Sequence, residues 1–288
     1  MGHVQVHTPE LDRAVSDDCR CSPDAFDYDA IPADYDVLPA DEADRRSVLG
    51  RVDVIFGAFD ERNQVLSLNE LTQRTVLPKS TVHRFAEQLR QIGWLEREVS
   101  GYRIGMRMFE VGGLAMRRSR LCEIAAPHLQ ALAVKTGFAV QMAILDGTDV
   151  VYLERIPMAG LVLPSREGGR IPAYCTGLGK AMLAFDDDAA QVVSKMRLEQ
   201  RTANTICSPV HLANELRRIR DRGWAFDHQE SYRGLACVAA PVRSNGRAIA
   251  AISVTGPVDR IDVQGLAPLV HTAAGTIWAD RFGHKRPA

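Results

Sequence analysis

Long apolar runs are missing from this chain. No stretch approaches the ~20 residues that a helix needs to cross a bilayer. The opening residues, MGHVQVHTPELD, have neither a basic n-region nor an apolar h-region, so no secretion signal is expected and the protein is read as cytoplasmic. Cysteine is sparse: Cys19, Cys21, Cys122, Cys175, Cys207 and Cys237 are scattered, without a C-x-x-C pair. No His cluster stands at metal-ligand spacing either, which argues for reduced thiols and against a metal or other cofactor. A Walker A loop is also absent, because Ala181 follows Lys180 in GLGK where Ser or Thr is required. No G-x-S-x-G elbow occurs. Ser165, His211, Asp227 and His228 could be imagined as a catalytic set, but no spacing suggests a nucleophile activated by a base. An enzyme acting on a small metabolite is therefore a distant alternative.

Charge of one sign is scarce only in the sum. Residues 1–46 hold twelve acids against four Arg, a balance of −8, and the remainder carries +7. The acidic leader has no helical or strand period and reads as disordered. It would solubilise the chain, or lie on a basic surface and compete with DNA.

What is present centres on Ser67–Ile92. Ser67 and Glu70 form the S-x-x-E pattern of a capping box, so a helix starts at Leu68. Thr75 and Val76 are poor helix residues and Pro78 follows, which keeps that helix short. From there Val82, Phe85, Ala86, Leu89 and Ile92 fall on one narrow helical face. Ser80, His83, Arg84 and Glu87 take the other face, with Lys79 and Thr81 in the first turn. Gly93 stops the helix. A second helix with basic and polar groups at its start is the arrangement that enters a DNA major groove; a merely solvated helical hairpin has the same pattern.

The flanks bear on that choice. Val48, Val52, Ile55, Phe56 and Phe59 mark an earlier helix. Leu95–Glu98 and Tyr102–Ile104 around Ser100-Gly101 mark a β-hairpin, which completes a winged helix-turn-helix. Arg97 and Arg103 near its tip could reach phosphates. The expected DNA-binding residues are Ser67, Lys79, Ser80, Thr81, His83 and Arg84, with those two arginines. A linking helix follows over 106–120. Beyond it come a helix, strand runs at Ala139–Leu145 and Val150–Leu153, a loop-rich stretch from Gly160 to Tyr174, and a helix over Thr176–Phe185. A helix over Leu212–Arg222, strands at Trp224–Glu230, Ala236–Val242 and Ala248–Val254, and a closing helix complete the chain. Strands with helices on one side imply an α+β domain around an antiparallel sheet.

These residues are recognisable together. LPKSTVHRFAEQLRQIGWLERE and YRIGMRMFEVGGLA resemble the DNA-binding domain and linker of the IclR family of bacterial transcriptional regulators. GGRIPAYCTGLGKAMLAF, IRDRGWAFDHQESYRGLACVAAPV and AISVTGP resemble its effector-binding domain, in order and spacing. The resemblance covers about 47–282. It implies an α+β chain: a winged helix-turn-helix at 47–105, joined by the linking helix to a GAF-like effector-binding domain at 121–283. It also implies a homodimer, often a dimer of dimers, on a palindromic operator. Carried over by motif, the effector pocket holds Gly177 and Leu178, then Asp227, Leu235 and Cys237, then Ser253, under a lid with Leu161 and Leu163. Gly177 and Gly179 at a helix start leave N–H groups that could hold an anion, and Ser253 could donate to a carboxylate, so a small organic acid is the expected effector. Three features depart from the family: Val76 stands where glycine is usual, Gln229-Glu230 where a pair of acids is common, and the acidic leader exceeds the usual short extension. A β-branched residue disfavours positive φ, which predicts a differently shaped turn. A regulator that senses through thiol oxidation at Cys175 or Cys237 is the alternative reading.

Overall fold

A computed structural model of the chain describes residues 47–60, 63–117 and 120–282. The acidic leader, and with it the expectation of disorder, lies outside the described residues.

The first part holds three helices and a small sheet. Ser47 caps α1 (Val48–Gly57) by accepting from the Gly50 N–H at 2.9 Å. The capping box forms at α2 (Leu68–Thr75): Ser67 Oγ accepts from Glu70 N, and the Glu70 carboxylate accepts from Ser67 N at 2.7 Å. Such a cap contributes about 1 kcal/mol. Pro78 is the N-cap of α3 (Lys79–Gln91). Val82, Phe85, Ala86 and Leu89 of α3 are buried against Ile55, Leu71, Leu95 and Tyr102. Each large side chain so buried is worth about 1.5–3 kcal/mol, and together they fix which face of α3 is left outside.

The expected hairpin forms from β2 (Leu95–Arg97) and β3 (Tyr102–Ile104), and β1 (Val65–Leu66) adds a third strand to it. Two residues were too few for a periodic signal. Gly101 has to be glycine, because a Cβ there would stand 2.2 Å from the Leu66 carbonyl oxygen. At Val76 the expected change of turn does not occur. The residue takes the left-handed conformation that glycine would take, at φ 55°, ψ 19°, and its N–H closes the helix on Thr72 O. The linking helix is α4 (Met106–Arg117).

The second part is a six-stranded antiparallel sheet. Its strands are β4 (Ala139–Asp146), β5 (Asp149–Ile156), β6 (Arg170–Pro172), β7 (Ala225–His228), β8 (Leu235–Ser244) and β9 (Arg247–Pro257). They lie in the order β6-β5-β4-β9-β8-β7. The sheet is covered on both faces, not on one as the strand pattern suggested. Helices α5 (Arg120–Thr136) and α9 (Val263–Phe282) pack on Val140, Met142, Val238 and Val254. On the other face α6 (Gly177–Leu183), α7 (Asp187–Lys195) and α8 (Pro209–Arg222) pack with Ala143, Tyr152, Cys237 and Ala251. Leu235–Val242 is buried without interruption, as a strand covered on both sides requires. The loop 157–169 joins β5 to β6 and lies over one end of the sheet.

Candidate functional site

Two regions collect the residues that composition and pattern single out. On α3, Lys79, Ser80, His83 and Arg84 are exposed and Thr81 is half-buried, opposite the packed face. Arg84 and Lys79 have no carboxylate at salt-bridge distance among the described residues. Glu87, further along, is engaged: it accepts from Tyr102 Oη and from Arg90 Nε, both at 2.8 Å. The Arg90 guanidinium, then the Tyr102 hydroxyl, hold its pKa below the usual value. The start of α3 is therefore a cationic, hydrogen-bonding surface on a rigid support.

In the wing, Arg103 is bridged to Glu96 at 2.6 Å and to Glu98 at 3.1 Å, exposed ion pairs with which a phosphate would compete. Arg97 is exposed, with its guanidinium 4.6 Å from the centre of the Tyr102 ring, and keeps its charge available. Ser67 acts as the cap of α2, and its hydroxyl is committed to that bond.

The second region is a cavity of about 40 Å³ between β4, β7, β8, β9, the start of α6 and the loop 157–169. Gly177, Leu178, Asp227, Leu235, Cys237 and Leu163 line it, as expected. Leu161 does not: it packs beside Leu163, Ala139 and Leu235 instead. Ser253 does not either. It pairs with Gln141 and Ala239, next to the rung of Thr255 and Cys237, and is fully buried, with no oxygen or nitrogen partner for its hydroxyl among the described residues.

The glycines of α6 also have a packing reason. A Cβ on Gly177 would lie 2.9 Å from Cys237 Sγ, and one on Gly179 only 2.1 Å from the Ala173 carbonyl oxygen. Both allow the helix to approach the sheet and the preceding turn. Thr176 Oγ1 accepts from Gly179 N at 2.9 Å, so that orphan donor is already satisfied.

Gln141, Thr176, Ser231 and Thr255 line the cavity without having been expected there, and Ser165, considered only as a catalytic candidate, lines it too. A sequence signal existed for two of them, since Gln141 and Thr255 interrupt otherwise apolar strands. Thr255 Oγ1 donates to Gln141 Oε1 at 3.0 Å, and Gln141 Nε2 donates to Ser165 Oγ. Arg155 donates to the Ser165 carbonyl at 2.7 Å. Ser231 Oγ donates to the Cys175 carbonyl and stands 3.2 Å from Asp227 Oδ2, while Asp227 Oδ1 accepts from Glu230 N at 2.7 Å. Burial pushes the Asp227 pKa up, with Lys180 opposing.

Behind this wall sits a buried ion pair. Lys180 donates to Glu230 and, at 2.7 Å, to the Phe226 carbonyl. Among the described residues Glu230 Oε2 has no hydrogen-bond partner, and burial pushes that carboxyl up to about 7. The GLGK lysine is thus a structural cation.

The imagined catalytic set is not assembled. Ser165 and Asp227 face the cavity, but His211 and His228 are exposed elsewhere, and the partner of Ser165 is an amide rather than a base. Cys175 and Cys237 are buried, with thiols that burial pushes up to about 12; thiolate, the form that peroxide attacks, is disfavoured at both. Among the described residues, no group of His, Cys, Asp and Glu could hold a metal ion, and no helix is long and apolar enough to cross a membrane.

Comparison with known proteins covers both regions. The model of the IclR helix-turn-helix domain matches residues 48–99, and that of the bacterial transcriptional regulator IclR C-terminal matches 114–278. The transcriptional repressor IclR of Escherichia coli is 34% identical, over 70% of this chain and 76% of its own length. The regulator KdgR of the same organism is 31% identical, over 81% and 92%. Among solved structures, an IclR homolog from Microbacterium hydrocarbonoxydans complexed with 4-hydroxybenzoate aligns at TM-score 0.73 and 28% identity, over 81% of this chain and 98% of that one.

Proposed function

This chain belongs to the IclR family of bacterial transcriptional regulators, and from that premise we propose that it is a repressor released or tightened on its operator by a small organic acid. Family membership carries the first half: the chain is a DNA-binding regulator, and duplex DNA is its partner. The exposed start of α3 supports a reading in which Ser80, Thr81, His83 and Arg84 meet base edges in the major groove. Lys79 and Arg97 then hold phosphates, which set register but carry no sequence information. We assign 47–105 to DNA binding, 106–120 to the link and 121–283 to the effector. The working form is a cytoplasmic homodimer, or a pair of dimers, on a palindrome.

The observation that carries the effector half is the cavity beneath loop 157–169. It is small, partly open, walled mainly by apolar side chains and supplied with a few buried polar groups, the usual make-up of a small-molecule site. A carboxylate seated beside Asp227 is tolerated because burial favours the neutral form of that acid. An effector acts by binding two arrangements of paired DNA-binding domains unequally, and half-site spacing makes DNA affinity sensitive to the arrangement.

The test is a thermal-shift screen of 4-hydroxybenzoate, benzoate, succinate and pyruvate, followed by fluorescence anisotropy on DNA fragments selected by the protein. One acid should raise the melting temperature and change DNA affinity at the same concentration. No shift with any acid, while DNA binding is intact, removes the acid and leaves the regulator.

A further inference from the structure

The bond between Gln141 and Ser165 joins the floor of the cavity to its cover, and it is made by a side chain that no motif singled out. Gln141 is 3% exposed and Ser165 4%. Thr255 Oγ1 donates to the amide oxygen, which turns the amide nitrogen of Gln141 toward the cavity and the loop. There Ser165 Oγ accepts one N–H. Ser165 is held a second time through its carbonyl by Arg155. Two residues earlier, Leu163 is buried against Ala139 and Leu235. The loop is therefore closed by an apolar plug and a polar bond, side by side.

The cavity, about 40 Å³ and partly open to solvent, has room for roughly three waters, whereas a cavity that takes up benzene measures about 150 Å³. An acid of that size needs more room than the cavity offers, and Leu163 and Ser165 on the loop are the lining residues whose lifting supplies it. Lifting strips Gln141 of its acceptor inside a buried site, where an unsatisfied amide is costly. The loss is offset only by a ligand that offers an oxygen to the same N–H.

Resting on the effector reading above, we propose that Gln141 is the residue that reads an oxygen acceptor of the ligand, and that the ligand replaces Ser165 Oγ when it enters. Ser165 is a built-in competitor for the ligand's own hydrogen bond. Ligands without an acceptor at that position are excluded because they leave the amide unpaired. Thr255 is a positioning residue that keeps the nitrogen, not the oxygen, turned inward.

Removing the competitor and removing the reader should act in opposite directions, which a purely structural role would not do. Ser165→Ala should tighten binding of 4-hydroxybenzoate severalfold, up to about tenfold, because the closed state loses one hydrogen bond and the bound state none. Gln141→Met should weaken it by about tenfold or more. Both are read by isothermal titration on the full chain, with circular-dichroism melts to confirm folding. Independently of any ligand, Ser165→Ala should speed amide hydrogen exchange across 157–169 and leave the strands unchanged. Unchanged or weakened binding in Ser165→Ala, or unchanged exchange, overturns the proposal even if Gln141→Met fails to fold. If the wild-type protein binds none of the four acids, the acid reading and the ligand role of Gln141 fall together, and the exchange result still decides whether the bond closes the loop.

Discussion

Lys180, on α6, donates its ammonium to Glu230, in the turn between β7 and β8, and both side chains are nearly sealed from solvent, at 1% and 7% exposure. They are 50 residues apart in sequence. The pair staples the helix that roofs the cavity to the strand that carries Asp227. Breaking such a pair from one side is costly, because it strands a buried charge.

The pair makes stability depend on pH in a definite direction. Glu230 rises from the usual 4.5 to about 7 because it is buried, so the folded chain binds more protons than the unfolded one between those values. Its contribution is fully present below about 4.5 and is lost as pH climbs through about 7. Asp227, also raised by burial, acts in the same sense. Glu70, Glu87 and Glu96, all lowered, act in the opposite sense, so the comparison is with Glu230→Gln. Melting curves from about pH 5 to about pH 7.5 should show the wild type losing ground to that variant as pH rises. Parallel curves would mean that Glu230 does not titrate there.

Arg84 and Arg103 should behave differently in DNA binding, although both are exposed arginines. Arg84→Ala removes from the exposed face of α3 a cation that no carboxylate among the described residues neutralises, and should cost specific affinity about tenfold or more. Arg103→Ala should change it by less than about threefold, since Glu96 and Glu98 already hold that charge. Anisotropy titrations on a selected fragment, at one fixed salt concentration, distinguish the two. Equal losses would place the wing's Arg103 on phosphate after all.

Val76 holds a conformation that costs an L-residue roughly 1–2 kcal/mol, at a position that is 83% exposed. Val76→Gly should relieve that cost, less the entropy that glycine adds to the unfolded chain, for a net gain of about 0.5–1 kcal/mol. Urea melts would register it as a higher midpoint with an unchanged slope. A lower midpoint would show that the valine side chain contributes something that the exposed turn hides.

Thiol labelling separates an effector sensor from a redox sensor. Cys207 is exposed, whereas Cys175 and Cys237 are buried with their thiols pushed up to about 12. Maleimide at neutral pH should modify Cys207 quickly and reach the other two only on unfolding. Rapid labelling of Cys175 or Cys237 in the native protein would revive the redox reading.

Much of the helical framework was legible before any coordinates. Periodicity located α3, and the S-x-x-E pattern with Pro78 downstream located α2 and its cap. The elements that escaped were β1, β6 and α7, which span only Val65–Leu66, Arg170–Pro172 and Asp187–Lys195. Short edge strands carry little local signal, because their pairing partner supplies the structure. The second helical layer on the sheet was missed although the unbroken run LACVAAPV announces a strand buried on both faces.

By itself the sequence determined which residues turn outward from α3, because helical spacing leaves Phe85 and Leu89 only one way to be buried. It also determined the family, through motifs kept in order. Tertiary structure alone decided which polar groups meet in the cavity. Gln141 and Ser165 are 24 residues apart and Gln141 and Thr255 are 114 apart, and no periodicity encodes such pairings. Tertiary structure also aimed Thr255 and Gln141 at the cavity while burying Ser253 outside its lining, and bound Arg103 to Glu96 and Glu98. A hydroxyl or a cation acquires its role from the partner the fold sets beside it, and that partner is invisible to any reading along the chain.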